Sequence, residues 1–200
     1  MMRSILPVSV FVFLLLARCS SPSGSKSETH GVESPVSDIP AGAIREKFAD
    51  NSSMEKVTLK DAQGNVVSEG ILVDGKKEGA WIELNQGGTA KSITSYVHDE
   101  KEGDYIELNS SGQFVKRVTY HHNLRHGEYR VFNYSALKEE RFYQNDKLEG
   151  IVKTYYDNSA KVMEEGTYKS GTRDGVSRWY DQEGKMTIEY EYKNGELVKK

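Results

Sequence analysis

The side chains with the most chemistry to offer in this chain are three histidines within six residues, His121, His122 and His126. Clustered imidazoles suggest a metal site, because imidazole is the commonest metal ligand. The spacing works against it. Neighbouring residues on a strand, such as His121 and His122, point to opposite faces, so at most two rings converge easily. A polar turn between two strands is the simpler reading, and no metal is expected. Carboxylates also occur in pairs, Glu139 with Glu140 and Glu164 with Glu165. A general acid and its base must face one pocket with separated pKa values, and adjacent strand residues again diverge. The chain has no glycine-rich phosphate loop, no Ser/His/Asp order and no paired-cysteine metal signature. The residue chemistry predicts no enzyme and no cofactor, and directs attention to surfaces.

Those surfaces are set by a repeat. Glycines recur at Gly79, Gly103, Gly127, Gly150 and Gly175, in steps of 24, 24, 23 and 25 residues. Seven residues before each stands Leu72, Tyr96, Tyr120, Tyr143 or Tyr168, and Tyr192 continues the series. Four residues before each stands Gly75, Asp99, Asn123, Asp146 or Gly171, residue types that form turns. Two residues after the first three come Trp81, Tyr105 and Tyr129. A fixed period of this length marks a stacked repeat array, and such arrays are surfaces for binding or scaffolding more often than sites of chemistry.

One period holds two short β-prone runs and two turns. Residues 80–84 (AWIEL), the turn Asn85-Gln86-Gly87-Gly88, the return run 91–97 (KSITSYV) and a second turn at residues 99–102 make a hairpin. Residues 104–108 and 114–120 repeat the plan. Six hairpins fill residues 57–200, giving an all-β fold of tandem antiparallel hairpins in an elongated single-layer sheet. The five repeat glycines are read as turn glycines. The middle loops, Asn133-Tyr134-Ser135-Ala136 and Asp157-Asn158-Ser159-Ala160, lack the loop glycine and mark where the array should deviate. Lone hairpins bury little, so stability must come from stacked neighbours, through ladders of Tyr96, Tyr120, Tyr143, Tyr168 and Tyr192 and of Trp81, Tyr105 and Tyr129. Elsewhere Lys, Glu, Arg and Thr dominate, so the sheet should be wet and thinly cored.

The N-terminal end has a different character. Arg3 followed by a short apolar run, Ile5 to Leu16, reads as a secretory signal over residues 1–18. The sequence Leu16-Ala17-Arg18-Cys19 resembles a bacterial lipobox, with Arg18 departing from the small residue expected there. Cys19, the only cysteine, is the expected lipid attachment point and rules out an intramolecular disulfide. Residues 19–40 are rich in Ser, Pro, Gly and charge and are read as a disordered tether. Residues 41–56 are expected to be a short helical or irregular lead-in, with Ile44 and Phe48 at helical i, i+4 spacing. Loss of Arg3 and Arg18 with the leader takes the net charge from −3 to about −5. That sign excludes a nucleic-acid footprint and offers nothing to an anionic membrane surface, so membrane attachment would rest on the lipid.

Three segments, Tyr120-His121-His122-Asn123-Leu124-Arg125-His126-Gly127, Tyr143-Gln144-Asn145-Asp146-Lys147-Leu148-Glu149-Gly150 and Tyr168-Lys169-Ser170-Gly171-Thr172-Arg173-Asp174-Gly175, resemble the MORN repeats, in the bacterial YwqK-type variant with a Tyr-x-x-Gly/Asn-x-x-x-Gly core. The resemblance spans about residues 57–198. It implies a sheet of hairpins that binds other proteins or lipids. Bacterial members often carry an antitoxin label, which fits poorly with an exported chain. The leading expectation is a non-enzymatic lipoprotein that docks a protein partner in the bacterial envelope, with Trp81, Tyr105, Tyr129, Tyr120 and Tyr143 as contact residues. The alternatives are a self-assembling structural spacer and an antitoxin or immunity-type protein.

Overall fold

The computed structural model describes residues 39–198; the leader, Cys19 and nearly all of the tether lie outside them. Fifteen strands follow in chain order: β1 (Ile44–Phe48), β2 (Asn51–Lys60), β3 (Val66–Val73), β4 (Lys76–Leu84), β5 (Ala90–Val97), β6 (Glu100–Leu108), β7 (Phe114–His121), β8 (Leu124–Asn133), β9 (Ala136–Gln144), β10 (Lys147–Leu148), β11 (Gly150–Tyr155), β12 (Val162–Lys169), β13 (Thr172–Tyr180), β14 (Met186–Lys193) and β15 (Glu196–Leu197). They form one open sheet in which each strand pairs antiparallel with its sequence neighbours, except that β10 and β11 do not pair with each other and both pair with β9. This is the tandem-hairpin, all-β, single-layer architecture that the period predicts. No helix among the described residues is long and apolar enough to cross a membrane.

The turns alternate between the two ends of the strands. One end carries two-residue turns: Asp74-Gly75, His98-Asp99, His122-Asn123, Asn145-Asp146, Ser170-Gly171 and Asn194-Gly195. Both residues of each have positive φ, the type I′ geometry whose twist matches that of the flanking strands. The opposite end carries longer loops, four of them closed by the side chain of Asp61, Asn85, Asn109 or Asp181. Asp61 Oδ1, for instance, accepts from the N–H groups of Gln63 and Asn65. The loop without glycine at Tyr134-Ser135 contracts to a two-residue turn, φ 47° and 68°, and this is the copy of 23 residues.

The five repeat glycines do not sit in turns, contrary to the sequence reading. Each lies within or at the start of a strand, one strand residue or more beyond the turn. The second short turn of the array is His98-Asp99, and β6 is already extended from Glu100. The glycines mark a repeated bulge. Between β5 and β6 the register slips between Thr94 and Tyr96, so that Glu102-Gly103-Asp104 oppose the single residue Ser95. The same slip recurs opposite Thr119 and Thr167. In the fourth copy it divides what is one strand elsewhere into β10 and β11. A bulge of this kind re-aims the strand and raises its twist.

The lead-in is also corrected. Residues 44–48 form β1, not a helix, and residues 51–56 belong to β2. Ile44 and Phe48 share a face in an extended strand as well as in a helix, because a spacing of four is even. Pairing decides between the two. Glu46 lies opposite Lys56 and Lys47 opposite Glu55, and Arg45 bonds Glu55 at 3.2 Å, so β1 gains cross-strand charge pairs that an isolated helix would lack. Ile39, assigned to the tether by composition, packs against the core cluster of Val57, Leu72 and Trp81.

The apolar core is thin, as the composition implies. Val57, Leu72, Trp81, Val118 and Tyr143 are its buried hydrophobic residues among those described. A single layer has no second sheet to pack on, so burial comes from side chains lying along the sheet over their neighbours.

Candidate functional site

Register assigns the predicted contact residues to one face. Trp81, Thr94, Tyr105, Val118, Tyr129 and Arg141 follow one another across six strands in directly opposed pairs. A second row on this face sets Tyr96, Tyr120, Tyr143, Tyr168 and Tyr192 each across from a repeat glycine on the preceding strand. The two rows touch: the rings of Tyr129 and Tyr143 meet edge to face at 5.6 Å. All five expected contact residues therefore share one face, spread from β4 to β9, but they are not equally buried. Trp81 is 5% exposed and Tyr143 4%, so these two are packing residues first. Tyr105, Tyr120 and Tyr129 are half-buried and keep surface on this face. Burial raises the phenol pKa of Tyr105 and Tyr120.

Sequence reasoning missed the cations of this face. Two residues before the repeat glycine stand Lys77, Lys101, Arg125 and Arg173, with Leu148 the exception. Each cation lies over the tyrosine of its own hairpin: Lys77 Nζ 5.1 Å from the Tyr96 ring, Lys101 Nζ 5.3 Å from Tyr120, Arg125 Cζ 4.1 Å from Tyr143 and Arg173 Cζ 5.2 Å from Tyr192. A cation above a ring contributes about 0.5–1 kcal/mol at an exposed site. The signal was present in the sequence, since the position follows the same period as the glycines.

The opposite face changes character along the array. One register row runs Ile82, Ile93, Ile106 and then Arg117, Arg130, Glu140, Lys153, Glu165, Arg178 and Glu189. Arg130 bonds Glu140 at 3.1 Å, and Arg178 bonds Glu165 at 3.2 Å and Glu189 at 2.8 Å. Tyr155 donates to Glu140 at 3.0 Å; burial and that carboxylate push its phenol up to about 12. The carboxylate pairs noted in the sequence are thus divided between faces, Glu139 and Glu164 on the aromatic side and Glu140 and Glu165 in the ion ladder.

The end of the sheet with the two-residue turns ties each copy to the next. Asp99 Oδ1 accepts the Lys77 N–H at 2.7 Å, and the Asp99 N–H donates back to the Lys77 carbonyl at 3.0 Å. Asn123 and Asp146 repeat this reciprocal pair with Lys101 and Arg125. Gly171 and Gly195 keep only the main-chain half, donating to Leu148 and Arg173. The predicted turn formers are inter-copy clamps as well. We expect Asn123→Gly, which tolerates the positive φ but lacks the acceptor, to cost about 1 kcal/mol. Gly171→Asn should recover part of that amount where the acceptor is missing. Denaturant midpoints check both, and equal midpoints for wild type and Asn123→Gly would refute the clamp.

A second tie comes from the residue just before the repeat glycine. Glu78, Glu102, Glu149 and Asp174 accept the main-chain N–H of His98, His122, Ser170 and Asn194, the first turn residue of the next copy, at 2.8–3.0 Å. In the third copy His126 takes that place, and its Nδ1 lies 3.0 Å from Asn145 Oδ1. The histidines converge more than strand alternation predicts. The His121 and His122 rings are 4.1 Å apart, and those of His121 and His126 are 5.6 Å apart. His122 belongs to the turn, at φ 47°, so the strand rule does not govern it. His121 Nδ1 lies 2.7 Å from Glu102 and His122 Nδ1 2.6 Å from Glu100. Among the described residues no group of three or more His, Cys, Asp or Glu side chains has the geometry to hold a metal ion.

The His121 hydrogen bond, then the His122 N–H, hold the Glu102 carboxyl below its ordinary 4.5. The Glu100 hydrogen bond raises the His122 imidazole above its ordinary 6.5. A lowered carboxyl adds stability above its unfolded pKa, lost as pH falls through the folded value. A raised imidazole adds stability below its unfolded pKa, lost as pH rises through the folded value. Both contributions coexist only between the two ranges. His122→Asn, which keeps the positive φ, should therefore lower the melting temperature more at about pH 5.5 than at about pH 8.5. Equal losses at both would sink this coupling.

No protein-family model matches the chain, and a comparison with curated proteins finds no match.

Proposed function

We propose that the chain is a non-enzymatic, exported lipoprotein, held to a bacterial membrane through Cys19, whose MORN-like repeat sheet binds a protein partner in the cell envelope. The observation that carries the binding role is the aromatic face. Tyr105, Tyr120 and Tyr129 keep exposed surface on a wall of paired strands, interleaved with Lys101, Lys116 and Arg125. Tyrosine and arginine are the residues that dominate protein interfaces, since they combine large contact area with few rotamers to immobilise. Exposed strand-paired positions supply them at fixed spacing without a folding transition.

The test is crosslinking in intact cells through a C-terminal tag, comparing wild type with Tyr105→Ala combined with Tyr129→Ala. A stoichiometric protein captured by wild type and lost from the double variant supports the reading. Capture that is unchanged in a folded variant removes these tyrosines from the interface.

A second reading is favoured by one feature. Along β14, Ile188, Glu189 and Tyr190 pair with β13 but with no strand on their other side among the described residues. Met186, Ile188 and Tyr190 are exposed there at 48%, 44% and 46%. An open edge beside exposed apolar side chains templates pairing between chains, so the structural, self-assembling role predicts a mass that rises with concentration in light scattering. A constant monomer mass counts against it.

A further inference from the structure

The histidine cluster breaks the repeat at two neighbouring positions of one copy. His121 stands one residue after the ladder tyrosine, where other copies carry Val97, Gln144, Lys169 and Lys193. His126 stands just before the repeat glycine, where the others carry Glu78, Glu102, Glu149 and Asp174. The two rings meet edge to face across β7 and β8, with 5.6 Å between centroids. Each Nδ1 faces an oxygen: Glu102 Oε1 at 2.7 Å for His121 and Asn145 Oδ1 at 3.0 Å for His126. An ionised carboxylate and an amide oxygen only accept, so both Nδ1 atoms carry the hydrogen, and a neutral ring then keeps its lone pair on Nε2. The strand order β6-β7-β8-β9 sets where those lone pairs point. Glu102, on β6, draws Nδ1 of His121 to one side, and Asn145, in the turn after β9, draws Nδ1 of His126 to the other. Nε2 lies across the ring from Nδ1, so the two Nε2 atoms are directed at each other from either side of the gap between β7 and β8.

We infer that His121 and His126 together bind a divalent transition-metal ion of the zinc or copper class through their Nε2 atoms. His121 follows Tyr120 on β7, so the site lies on the face away from the tyrosines. Imidazole suits these ions, whereas magnesium prefers oxygen ligands. Two imidazoles that share one ion at about 2.0–2.1 Å have ring centroids about 5 Å apart, so the observed pair needs only a small side-chain adjustment. The His121 side chain is 49% exposed, which leaves room for that movement. A histidine that ligates a metal donates its other ring N–H to a carboxylate or a carbonyl, which fixes the tautomer and aims the ring. Glu102 and Asn145 already fill that role. His122 packs on His121 at 4.1 Å, with its own Nδ1 on Glu100, and limits the swing of the ring. No group of three His, Cys, Asp or Glu side chains is placed to coordinate together among the described residues, so the protein supplies two ligands and water completes the shell. The ion ties β7 to β8 across the His122-Asn123 turn.

The test titrates the isotopically labelled full-length protein with Zn²⁺ and follows the histidine ring nitrogens by NMR, with Mg²⁺ as the comparison. Saturable changes at Nε2 of His121 and His126 are expected with Zn²⁺, while their Nδ1 atoms stay protonated. Mg²⁺ should move none of them. His121→Gln and His126→Gln each remove one ligand and should each weaken binding by about tenfold or more. Either variant suffices where the other fails to fold. His98→Asn changes the matching turn of the previous copy, keeps the positive φ and should leave binding unchanged. Shifts that never saturate, that are equal with Mg²⁺, that arise at Nδ1, or that persist in a folded His126→Gln variant overturn the inference. A loss with His98→Asn as large as that with His126→Gln moves the ion to the row of turns and overturns it too.

Discussion

Gly70→Val should be among the most damaging single changes in this protein. The new side chain begins where the Trp81 indole already lies, with Cβ 2.3 Å from Cδ2 and 2.4 Å from Cε2. The ring cannot simply swing away, because Nε1 donates to the Ile71 carbonyl at 3.1 Å and the ring packs on Val57 and Leu72. Overpacking of a core typically costs about 1–3 kcal/mol, and this site belongs at the upper end. At roughly 2–4 °C per kcal/mol for a chain of this size, the melting temperature should fall by about 10 °C. Trp81→Ala alone should cost roughly 3–5 kcal/mol through the cavity it leaves. The two changes together should cost clearly less than their sum, because valine at position 70 enters the space that the indole vacates. Thermal melts of the two single variants and the double variant measure the coupling, and additive losses would falsify this account of the pair.

The second large effect separates glycines that look equivalent in the sequence. Gly175 has φ +113°, and a Cβ there would lie 3.1 Å from Thr167 Cβ. Gly79 has φ +66°, and a Cβ there meets nothing within 4 Å. The first backbone conformation lies outside the left-handed region open to L-residues, while the second lies within it. Gly79→Ala should cost about 1–2 kcal/mol, the ordinary penalty of a left-handed L-residue. Gly175→Ala adds a contact and a less accessible φ, and should exceed about 3 kcal/mol. Denaturant unfolding of the two variants under one set of conditions ranks them. Equal losses would mean that the bulge relaxes freely, and that the glycines serve only as spacers.

The contrast between these glycines shows where a sequence read alone stops. Period and residue type located Gly79 and Gly175 in every copy, yet both appeared as turn glycines. The turn lies four and five residues earlier, at Asp74-Gly75 and Ser170-Gly171, and the repeat glycines instead absorb a register slip between strands. A slip is a property of two strands, so no single-strand pattern displays it. The same limit explains residues 44–48. Their even spacing of apolar residues suits helix and strand alike, and the choice came from Glu55 and Lys56 on the neighbouring strand. Strand alternation would send His121 and His122 to opposite faces, but His122 is a turn residue at φ 47°, where the alternation no longer holds.

The candidate binding face was legible in part. The tyrosine and tryptophan positions followed the period, and register placed them on one side. Their unequal burial did not follow from sequence, because Trp81 is covered through a glycine on another strand and by the apolar side chains around it. The cations at Lys77, Lys101, Arg125 and Arg173 obeyed the period too, and their stacking over the tyrosines needed only the register to be recognised.

By itself the sequence determined the hairpin, its period and the number of copies, because turn chemistry and strand propensity act within a few neighbouring residues. It also determined which residue types line each row, since a constant period returns them to the same register. Tertiary structure alone decided the bulge, the clamps between copies, and the burial of Trp81 and Tyr143. Each of these depends on the offset between strands about one period apart. That offset is fixed by the sum of many cross-strand contacts, and no single copy contains it.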